Sequence, residues 1–326
     1  MSLAISVVIP TTGRSSLQRA VESALNQTLP PTEVIVVVDG PEHRRIDAWP
    51  DAVRVLFTGG GRGGNWARQM GIDAASGEAI ALLDDDDYWL PTKLETQAAL
   101  YRELEASSGC PVVGSAMLEM DPDGKNQSTL PKRFPRAGET IAEYLFVRRH
   151  IRYGETVVNS SMLMAPRRLF MDVPLDSRWA VHQDWDWLAR VSGRSDLRFA
   201  MVTTPQLVHV RHGPGASVSR AGRWAVSEEW AHTQLHPNSA RQFGDLLLTV
   251  TVPAALDADN RRAAWLVAFL AIRRGRPGLP ALAFGAATLI VPRRWLAYLV
   301  RLAAHHAACR VFAGRATHYQ GPRADV

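Results

Sequence analysis

The sequence has little cysteine and no apolar run long enough to span a membrane. Its two cysteines, Cys110 and Cys309, lie far apart and match no metal-ligand spacing, so neither a disulfide framework nor a zinc site is indicated. The uncharged, largely apolar run over residues 277–291 has fifteen residues, fewer than the ~20 that a spanning helix needs. No secretory signal pattern opens the chain. We therefore expect a cytoplasmic protein in a reducing compartment.

Charge is unevenly distributed along the chain. From residue 258 onward there are 11 arginines against two aspartates, whereas residues 1–257 carry 26 basic and 30 acidic residues. The apolar runs 263–272 and 279–291 separate the basic residues, unlike the aromatic and basic grooves that bind single-stranded nucleic acid. We expect no nucleic-acid partner. The pattern favours helices that lie on an anionic membrane, at the inner face of the plasma membrane. The alternative is that these helices pack on the rest of the chain or on a second subunit.

Apolar runs alternate with helical patterns over the first hundred residues, which predicts an α/β fold with a mostly parallel sheet. The continuous apolar character of residues 4–9 is typical of a parallel strand covered on both faces, and Pro10 is expected to end it. Capping boxes are predicted at Ser15 with Gln18 and at Thr92 with Glu95. The predicted strands are 4–9, 34–38, 53–57, 79–83, 112–120, 156–164, 197–203 and 206–210, with a mobile loop at 125–138. The predicted helices are 15–27, 65–75, 92–105, 141–147, 184–192, 224–235, 241–250, 261–274, 279–291 and 294–309.

Four consecutive aspartates, at residues 84–87, follow the predicted strand 79–83. Adjacent carboxylates repel one another, so the run is expected at a solvent-open strand end where something positive binds. Mg²⁺ and Mn²⁺ prefer oxygen ligands and share them with waters and substrate phosphates. The run therefore predicts a metal site at the ligand-binding edge of an open α/β sheet. The alternative is a solvated acidic turn.

The glycine loop at residues 59–64 contains a match to the dinucleotide-binding pattern GxGxxG, and Asp84 follows Gly64 by twenty residues. Two features count against a dinucleotide site. The loop comes after two earlier strands, and a ribose needs one acid, not four. Arg62 and Arg68 beside the loop would suit a diphosphate equally well. A flexible loop without a ligand is a further alternative.

A second chemical cluster, residues 182–188, interleaves two acids with two tryptophans. Asp184 stands at the first turn of a predicted helix, where an aspartate is often only a helix-dipole residue. Trp185 and Asp186 beside it would give an apolar platform for a sugar next to a carboxylate. Asn159 and Ser160 are polar groups available to a cleft, or else ordinary sheet-edge hydrogen-bonding groups. His212, in a Gly/Pro-rich loop, could reach a metal or a phosphate, although a lone histidine is more often structural.

Together these segments resemble the family 2 glycosyltransferases, over roughly residues 4–220. The matching segments are ISVVIPTTGR (5–14), VIVVVDG (34–40), NWARQMGIDAASGEAIALLDDDDYWLPTKLE (65–95) and HQDWDWLAR (182–190). The resemblance implies the GT-A fold, a Rossmann-like mixed sheet with helices on both faces. It also implies a catalytic domain over residues 1–220, with residues 221–326 as a helical, basic and apolar C-terminal region.

The resemblance implies roles for particular residues. Asp184 matches the catalytic base, although Gln183 replaces the glutamate that precedes it in relatives. Val38 replaces the acid that many relatives have before Asp39. The residues implied to bind the nucleotide-sugar are Pro10, Thr11, Thr12, Arg14, Asp39, Arg68, Asp84 and Asp85. The implied metal ligands are Asp86, Asp84 and His212. The acceptor-side candidates are Trp185, Asp186, Asn159 and Ser160.

The function implied by the resemblance is inverting sugar transfer from a nucleotide-sugar donor to a hydroxyl of a glycan or lipid-linked acceptor. Such an enzyme would need Mn²⁺ or Mg²⁺ and would serve cell-wall or polysaccharide biosynthesis. Two alternatives remain. One is an NAD-dependent oxidoreductase that uses the glycine loop. The other is a non-catalytic adaptor with the same fold, which the replacement at Gln183 alone supports.

Overall fold

The computed structural model describes residues 3–41, 49–107, 109–121, 124, 127–152, 154–210 and 223–291. The strands are β1 (Ile5–Thr11), β2 (Glu33–Val38), β3 (Val53–Phe57), β4 (Ala79–Leu82), β5 (Asp87–Trp89), β6 (Cys110–Met120), β7 (Gln127–Leu130), β8 (Met164–Pro166) and β9 (Leu197–Val210). The α-helices are α1 (Leu17–Leu25), α2 (Gly64–Ala74), α3 (Lys93–Ala106), α4 (Ile141–Phe146), α5 (Arg167–Asp172), α6 (Gln183–Val191), α7 (Trp224–Gln234), α8 (Ala240–Leu246), α9 (Val252–Asp257), α10 (Arg261–Arg274) and α11 (Leu279–Ile290). A 3₁₀ turn forms at Ser160–Met162 and a π-helical turn at Leu247–Thr251.

The strands of the described residues form one mixed sheet in the order β3-β2-β1-β4-β8-β6-β9-β5, with β7 beside β6. β1 pairs in parallel with β2 and β4, and β2 pairs in parallel with β3. β8 is antiparallel to β4 and β6, and β5 is antiparallel to β9. Every residue of β1 is buried, as its apolar sequence predicts. The predicted α/β fold with a mixed sheet and C-terminal helices is confirmed.

Helix α2 packs directly on β1 and β2, and a glycine makes this close approach possible. A Cβ atom added at Gly71 would lie 2.5 Å from Val8 Cγ1 and 3.0 Å from Val37 Cγ2. These distances are too short for any side chain, so only glycine fits at this crossing. This packing holds α2 close against β1 and β2.

Two clusters of buried apolar side chains lie in the described residues. The larger cluster covers the sheet and the helices packed on it. The smaller one gathers α7 to α11 and includes Phe146 and Trp179 from the first part of the chain. The predicted boundary at residue 220 falls in residues 211–222, which lie outside the described residues, so the two-domain division stays a prediction.

Three local predictions, one strand end and two helix capping boxes, are wrong. Strand β1 runs through Pro10 to Thr11, because beyond Val8 it pairs only with β2 and a residue without N–H is tolerated there. Ser15 and Gln18 form no capping box, since α1 begins after Ser16 and no side chain caps it. The Thr92 and Glu95 box is also absent. Glu95 Oε2 instead accepts a 2.7 Å hydrogen bond from Thr28 Oγ1.

Some predicted elements also differ. The predicted strand 156–164 is replaced by the 3₁₀ turn and the short β8, and the predicted loop 125–138 contains β7. The two predicted strands 197–203 and 206–210 form one strand, β9, whose register against β6 shifts near Ala116. The helix α9 was not predicted. The predicted helix 294–309 lies outside the described residues. No helix in the described part of the chain combines the length and apolar character needed to cross a bilayer.

Candidate active site

Three neighbouring parallel strands, β1, β2 and β4, end at a cleft of about 620 Å³. Carboxyl ends of parallel strands meet at the same sheet edge, so the polar residues after each strand lie close together. Thr12 follows β1, Asp39 follows β2, and the acid run follows β4. The first residues of α6 form the opposite wall.

The cleft brings together most of the residues singled out in the sequence. These are Pro10, Thr11, Thr12, Arg14, Asp39, Arg68, Asp84, Asp85, Asp86, Ser160 and Asp184, all of which line it. Residues from six separate segments of the chain therefore share one cavity. Their predicted roles toward a donor, a metal or an acceptor remain predictions.

The two less buried carboxylates of the acid run, Asp84 and Asp86, face arginines at the cleft. Asp84 Oδ1 accepts a hydrogen bond from Arg68 Nη2 at 2.6 Å, and Asp86 Oδ2 accepts one from Arg14 Nη1 at 2.8 Å. Charge-assisted bonds of this kind are among the stronger hydrogen bonds in proteins. The positive partner that the acid run needs is thus supplied, in part, by the chain itself.

The other two acids of the run are buried. Asp85 accepts hydrogen bonds from Thr11 Oγ1 at 2.6 Å and from Arg14 Nη1 at 3.1 Å, and its burial raises its pKa despite these partners. Asp87 is the first residue of β5, is 1% exposed, and lies 2.7 Å from His209 Nδ1. Burial raises the pKa of Asp87. The expectation that all four acids face solvent is therefore wrong for Asp85 and Asp87.

Arg68 connects the acid run to helix α6. It is only 8% exposed, and while Nη2 bonds Asp84, its Nη1 donates to Gln183 Oε1 at 2.9 Å. Within the described residues its buried Nε has no hydrogen-bond partner. Burial acts to lower the pKa of Arg68, but the carboxylates of Asp84, Asp184 and Asp85 raise it overall. The guanidinium therefore stays charged between the two walls of the cleft.

Asp184 lies in the first turn of α6, with its carboxylate in the cleft wall. Its Oδ1 accepts a 3.0 Å hydrogen bond from the backbone N–H of Trp185. Burial raises the pKa of Asp184 to about 6, with Arg68 opposing the shift and Asp84 adding to it. A carboxylate with this pKa is ionised at neutral pH and is a better proton acceptor than an ordinary aspartate.

Asp39 holds the glycine loop against the end of β2. Its carboxylate accepts hydrogen bonds from Thr58 Oγ1 at 2.7 Å and from the backbone N–H groups of Arg62 and Gly63, both at 2.8 Å. Burial acts to raise the pKa of Asp39, but these hydrogen bonds lower it overall. The loop follows β3, the edge strand of the sheet, and Gly63 has a φ of 91° that other residues rarely adopt. Asp39 therefore shapes this wall of the cleft.

Some predicted acceptor-side residues lie elsewhere. Asp186 is fully buried, where it accepts hydrogen bonds from Trp230 Nε1 at 3.0 Å and from Arg190 Nε at 2.8 Å. Trp185 packs on the helical cluster and donates from Nε1 to the carbonyl of Val158. The prediction that these two residues form a sugar platform is wrong, because neither of them lines the cleft.

Two further predicted residues do not line the cleft in the structure. Asn159 precedes the 3₁₀ turn and contacts Met117 Sδ through Nδ2 at 3.6 Å. Its proposed place on the acceptor side is therefore not supported by its position. His212 lies outside the described residues.

Sequence reasoning missed part of the wall opposite the sheet. Residues 177–181, just before the predicted cluster 182–188, line the cleft continuously, and Arg223 joins them from the start of α7. The segment has no periodicity, and its position directly before the predicted Asp184 helix was the only signal. The hydroxyl of Ser161 also supports the site, since its Oγ accepts a hydrogen bond from the backbone N–H of Asp84 at 3.0 Å and so helps to fix the acid run.

The cleft offers few ligands for a metal ion. No group of three histidine, cysteine, aspartate or glutamate side chains among the described residues could hold a metal by itself. Asp84 and Asp86 line the cleft and offer carboxylate oxygens. Mg²⁺ is usually bound through one or two carboxylates, with waters and substrate phosphates as its other ligands. The residues therefore fit a cation that shares its ligands with a bound diphosphate.

Comparison with known proteins identifies the family. The sequence profile described as Glycosyl transferase family 2 matches residues 6–171, which include the strand ends, Arg68 and the acid run. This chain belongs to glycosyl transferase family 2. The predicted family is confirmed. Asp184 lies beyond the matched residues.

Relatives of this family 2 chain include named glycosyltransferases. The amylovoran biosynthesis glycosyltransferase AmsB of Erwinia amylovora is 30% identical over 142 residues, which are 44% of this chain and 45% of AmsB. The uncharacterized glycosyltransferase YwdF of Bacillus subtilis is 29% identical over 221 residues, 66% of this chain and 77% of YwdF. The chain thus spans about half the length of AmsB.

Solved structures share the fold of this family 2 chain. Residues 1–349 of S. aureus TarS in complex with UDP-GlcNAc superpose with a TM-score of 0.54 at 14% identity, covering 88% of this chain and 90% of that one. The same part of TarS in complex with UDP gives a TM-score of 0.53. At this identity the likeness supports the fold alone, and it confirms the predicted GT-A architecture.

Proposed function

We propose that this chain is an inverting glycosyltransferase that moves a sugar from a nucleotide-sugar donor to an acceptor hydroxyl. The observation that carries the proposal is that Asp184 and the acid run line one cleft and are connected through Arg68. The named activity of AmsB and the UDP-GlcNAc bound to TarS add support. A non-catalytic adaptor would not need a carboxylate whose pKa is raised toward neutrality in that cleft.

The donor is proposed to lie along the sheet edge. Thr11, Thr12 and Asp39 would line the nucleoside, where the strand ends bring them together. Arg14 and Arg68 would face the diphosphate, because guanidinium groups bind phosphate oxygens strongly. A bound diphosphate would compete with Asp84 and Asp86 for these arginines. Donor binding is then an exchange of partners within an existing charge network.

Asp184 is proposed as the general base. It would take the proton from an acceptor hydroxyl while that oxygen attacks the anomeric carbon, and the bond to the diphosphate would break on the opposite face. One displacement inverts the configuration at that carbon. Positioned general bases contribute about 10² to 10⁴ in rate. Gln183 stands where relatives have an acid. Its side chain carries no charge, and it accepts a hydrogen bond from Arg68.

Asp84 and Asp86 are proposed to hold Mn²⁺ or Mg²⁺ together with the diphosphate. Their hard oxygen donors suit either ion, and the number of protein ligands is small enough to leave places for phosphate oxygens. When bound, such an ion neutralises negative charge on the departing diphosphate. The third proposed ligand is His212.

The acceptor is proposed to be a growing polysaccharide or a lipid-linked glycan. AmsB is named for the biosynthesis of a polysaccharide, amylovoran. A place in the cytoplasm at the inner face of the plasma membrane would bring the enzyme to such acceptors, and the basic C-terminal region supports this location.

A thermal-shift screen tests donor and metal together. UDP or UDP-GlcNAc with Mn²⁺ is expected to raise the melting temperature by about 5 °C at saturating ligand, while NAD is expected to change nothing. Other nucleoside diphosphates and nucleotide-sugars extend the panel to GDP-mannose and UDP-glucose. Stabilisation by NAD without metal would favour the oxidoreductase instead. Released nucleoside diphosphate then measures turnover, and its absence with every donor would favour the adaptor.

Asp86→Ala tests the metal ligands. It should abolish the Mn²⁺-dependent part of the shift, because Asp86 offers a carboxylate at the cleft. Asp51→Ala is the matched control, since Asp51 is exposed in the turn before β3 and lies away from the cleft. A full Mn²⁺-dependent shift in Asp86→Ala would remove Asp86 from the proposed site.

A further inference from the structure

Helix α10 carries its large apolar side chains on the outside. Its buried residues are small: Ala263, Ala264, Val267, Ala268 and Ala271. Its exposed apolar residues are large: Trp265, Leu266, Phe269 and Ile272 are between 54% and 60% exposed. A helix on an aqueous surface has its large apolar residues inward and its polar residues outward. The reversed arrangement indicates that something other than water covers the outer side of α10.

The exposed side chains are concentrated in one part of the chain. Nine large apolar residues are exposed among the described residues, and six of them lie between residues 265 and 290. A groove of about 440 Å³ between α7 and α10 extends the apolar area, with Trp224, Leu266 and Phe269 in its walls. Contiguous apolar patches of this kind mark interaction sites. We call Trp265, Leu266, Phe269 and Ile272 the α10 face.

Charge around the α10 face indicates an anionic occupant. Arg261 and Arg262 begin the helix, Arg273 and Arg274 end it, and Arg276 follows; all five are exposed. Glu228 is an acidic group in the groove wall, so positive charge exceeds negative charge here. Residues 292–326 carry six arginines and one aspartate, so the chain's own C-terminal segment has the same sign as the face. A second copy would likewise present positive charge to positive charge.

Aromatic and aliphatic residues flanked by arginines are the composition of a helix that lies in the interface of an anionic bilayer. The face also adjoins the catalytic cleft, because Arg223 lines the cleft and the next residue, Trp224, lines the groove. We propose that the α10 face docks onto an anionic phospholipid bilayer. On the proposed function, this places the cleft where lipid-linked acceptors are carried.

Vesicle sedimentation with the full chain tests the docking without any measure of catalysis. The chain is expected to sediment with vesicles of phosphatidylcholine and phosphatidylglycerol in equal parts, and much less with phosphatidylcholine alone. Trp265→Ser combined with Phe269→Ser should weaken binding at least about 10-fold, because both side chains would lie in the acyl boundary. Arg273→Gln should weaken it about 5-fold on anionic vesicles only.

Ile151→Ser is the matched control, since Ile151 is equally exposed but lies outside the α10 face. It should bind vesicles as the unchanged chain does. Unweakened binding by the double variant, or no binding of the unchanged chain to anionic vesicles, would overturn the proposal. If the unchanged chain is a dimer in solution and the double variant is a monomer, the α10 face binds a second copy of the chain, and this result would also overturn the proposal.

A separate set of contacts joins α7 to the helix that carries Asp184. His182 Nε2 lies 2.8 Å from Ser227 Oγ, and Trp230 Nε1 donates to Asp186 Oδ1 at 3.0 Å. His182 and Asp186 stand two residues before and two residues after Asp184. Helix α7 therefore holds the chain on both sides of Asp184.

These contacts are buried and specific. Ser227, Trp230 and Asp186 are all buried, and the ring of His182 stacks on Trp185 with an interplanar angle of 1°. Ser227 Oγ also lies 2.9 Å from Thr251 Oγ1 in the π-helical turn. His182 has a φ of 59°, a conformation that its surroundings must hold in place. The C-terminal helices thus fix the backbone at the start of α6.

We infer that Ser227 and Trp230 are positioning residues for Asp184. On the proposed function, Ser227→Ala should lower kcat about 10- to 100-fold with little change in the donor KM, because a small displacement of a base is costly to rate. Ser227→Thr keeps a hydroxyl and should restore kcat. Thr233→Ala, on the exposed side of α7, should leave kcat unchanged.

The double variant Asp184→Asn with Ser227→Ala separates positioning from general destabilisation. If Ser227 acts through Asp184, the second change adds little to the loss that Asp184→Asn already causes. Turnover is measured with whichever donor of the panel the chain accepts. An unchanged kcat in Ser227→Ala while Asp184→Asn is inactive would overturn the inference alone. Normal turnover in Asp184→Asn would overturn the proposed function instead.

Discussion

The sheet edge and the C-terminal helices follow opposite rules for where large and polar side chains go. At the sheet edge, buried apolar strands lead directly to polar residues at the cleft, as at β1 and Thr12 or β2 and Asp39. In the C-terminal region, α10 buries alanines and exposes tryptophan and phenylalanine. The first arrangement is set by the sheet itself. The second makes sense only if a further surface covers the helix.

The two regions meet on helix α6, and two aspartates there show the difference. Asp184 and Asp186 are two residues apart and look alike in the sequence. Asp184 lines the cleft, whereas Asp186 is buried between α6 and α7, bonded to Arg190 and Trp230. A helix turns by about 100° per residue, so residues two apart point to opposite sides. We therefore expect Asp184 to take part in catalysis and Asp186 to contribute to the stability of the fold.

The largest expected effect is that of Asp184→Asn. Loss of the base should lower transfer by about 10² to 10⁴ while donor-induced thermal shifts remain. The raised pKa means that the folded chain binds a proton more tightly at this site than the unfolded chain, so the site contributes stability at low pH that is lost as pH rises through about 6. At pH 7 the variant should therefore gain about 1 to 3 kcal/mol in free energy of unfolding. Near-normal transfer would remove Asp184 from the mechanism.

The pH dependence of turnover is the next effect in size. Because burial raises the pKa of Asp184 to about 6, the base is protonated below that pH. We expect kcat/KM for the acceptor to be half-maximal near pH 6 and to fall about tenfold for each further unit of acidity, because kcat/KM reports the pKa of the base before the acceptor binds. Turnover is measured at saturating donor and Mn²⁺, and the melting temperature is followed over the same range as a control. A flat profile between about pH 5 and pH 8 would contradict this assignment.

Asp186→Asn should show the reverse of Asp184→Asn. The two carboxylate oxygens of Asp186 accept hydrogen bonds from Arg190 Nε and Trp230 Nε1, and an amide has only one oxygen, so one buried donor loses its acceptor and the free energy of unfolding should fall by about 1 to 3 kcal/mol. Transfer should fall much less than in Asp184→Asn. Urea unfolding and turnover measured side by side check both. Loss of transfer as severe as in Asp184→Asn, with stability unchanged, would place Asp186 in the chemistry.

Substitutions in α10 give the smallest expected effects and test its reversed packing. Ala264→Leu should lower the free energy of unfolding by about 1 to 3 kcal/mol, because Ala264 is fully buried and the larger side chain has no space on that side of α10. Phe269→Ser should change stability by less than about 0.5 kcal/mol, because its side chain is exposed. The two variants are compared by urea unfolding in the absence of lipid. Equal losses would mean that Phe269 is covered within the chain.

Much of the sheet could be predicted because strand patterns are local. Continuous apolar runs place β1, β2 and β4, and the acid run and Asp39 follow from where those runs stop. The rule that ligands bind beyond the carboxyl ends of parallel strands then predicts the cleft. Asp84, Asp86 and Arg14 lie in it for this reason.

Other parts could not be predicted because long-range contacts decide them. The predicted capping box at Thr92 fails because Glu95 is taken by Thr28, far away in the sequence. Asp87 is buried because β5 pairs with β9 and brings His209 beside it. The wall at residues 177–181 has no local pattern at all. In each case a partner more than sixty residues away, or an irregular chain path, sets the outcome.

The amino-acid sequence alone determined the α/β fold, the family and the sheet-edge residues, because apolar periodicity and strand termination are properties of neighbouring residues. Only the tertiary structure decided that Asp184 and Asp86 share a cleft while Asp186 is buried, and that α7 holds both sides of Asp184. Helix direction and inter-helix packing fix these facts, and both depend on contacts between distant segments.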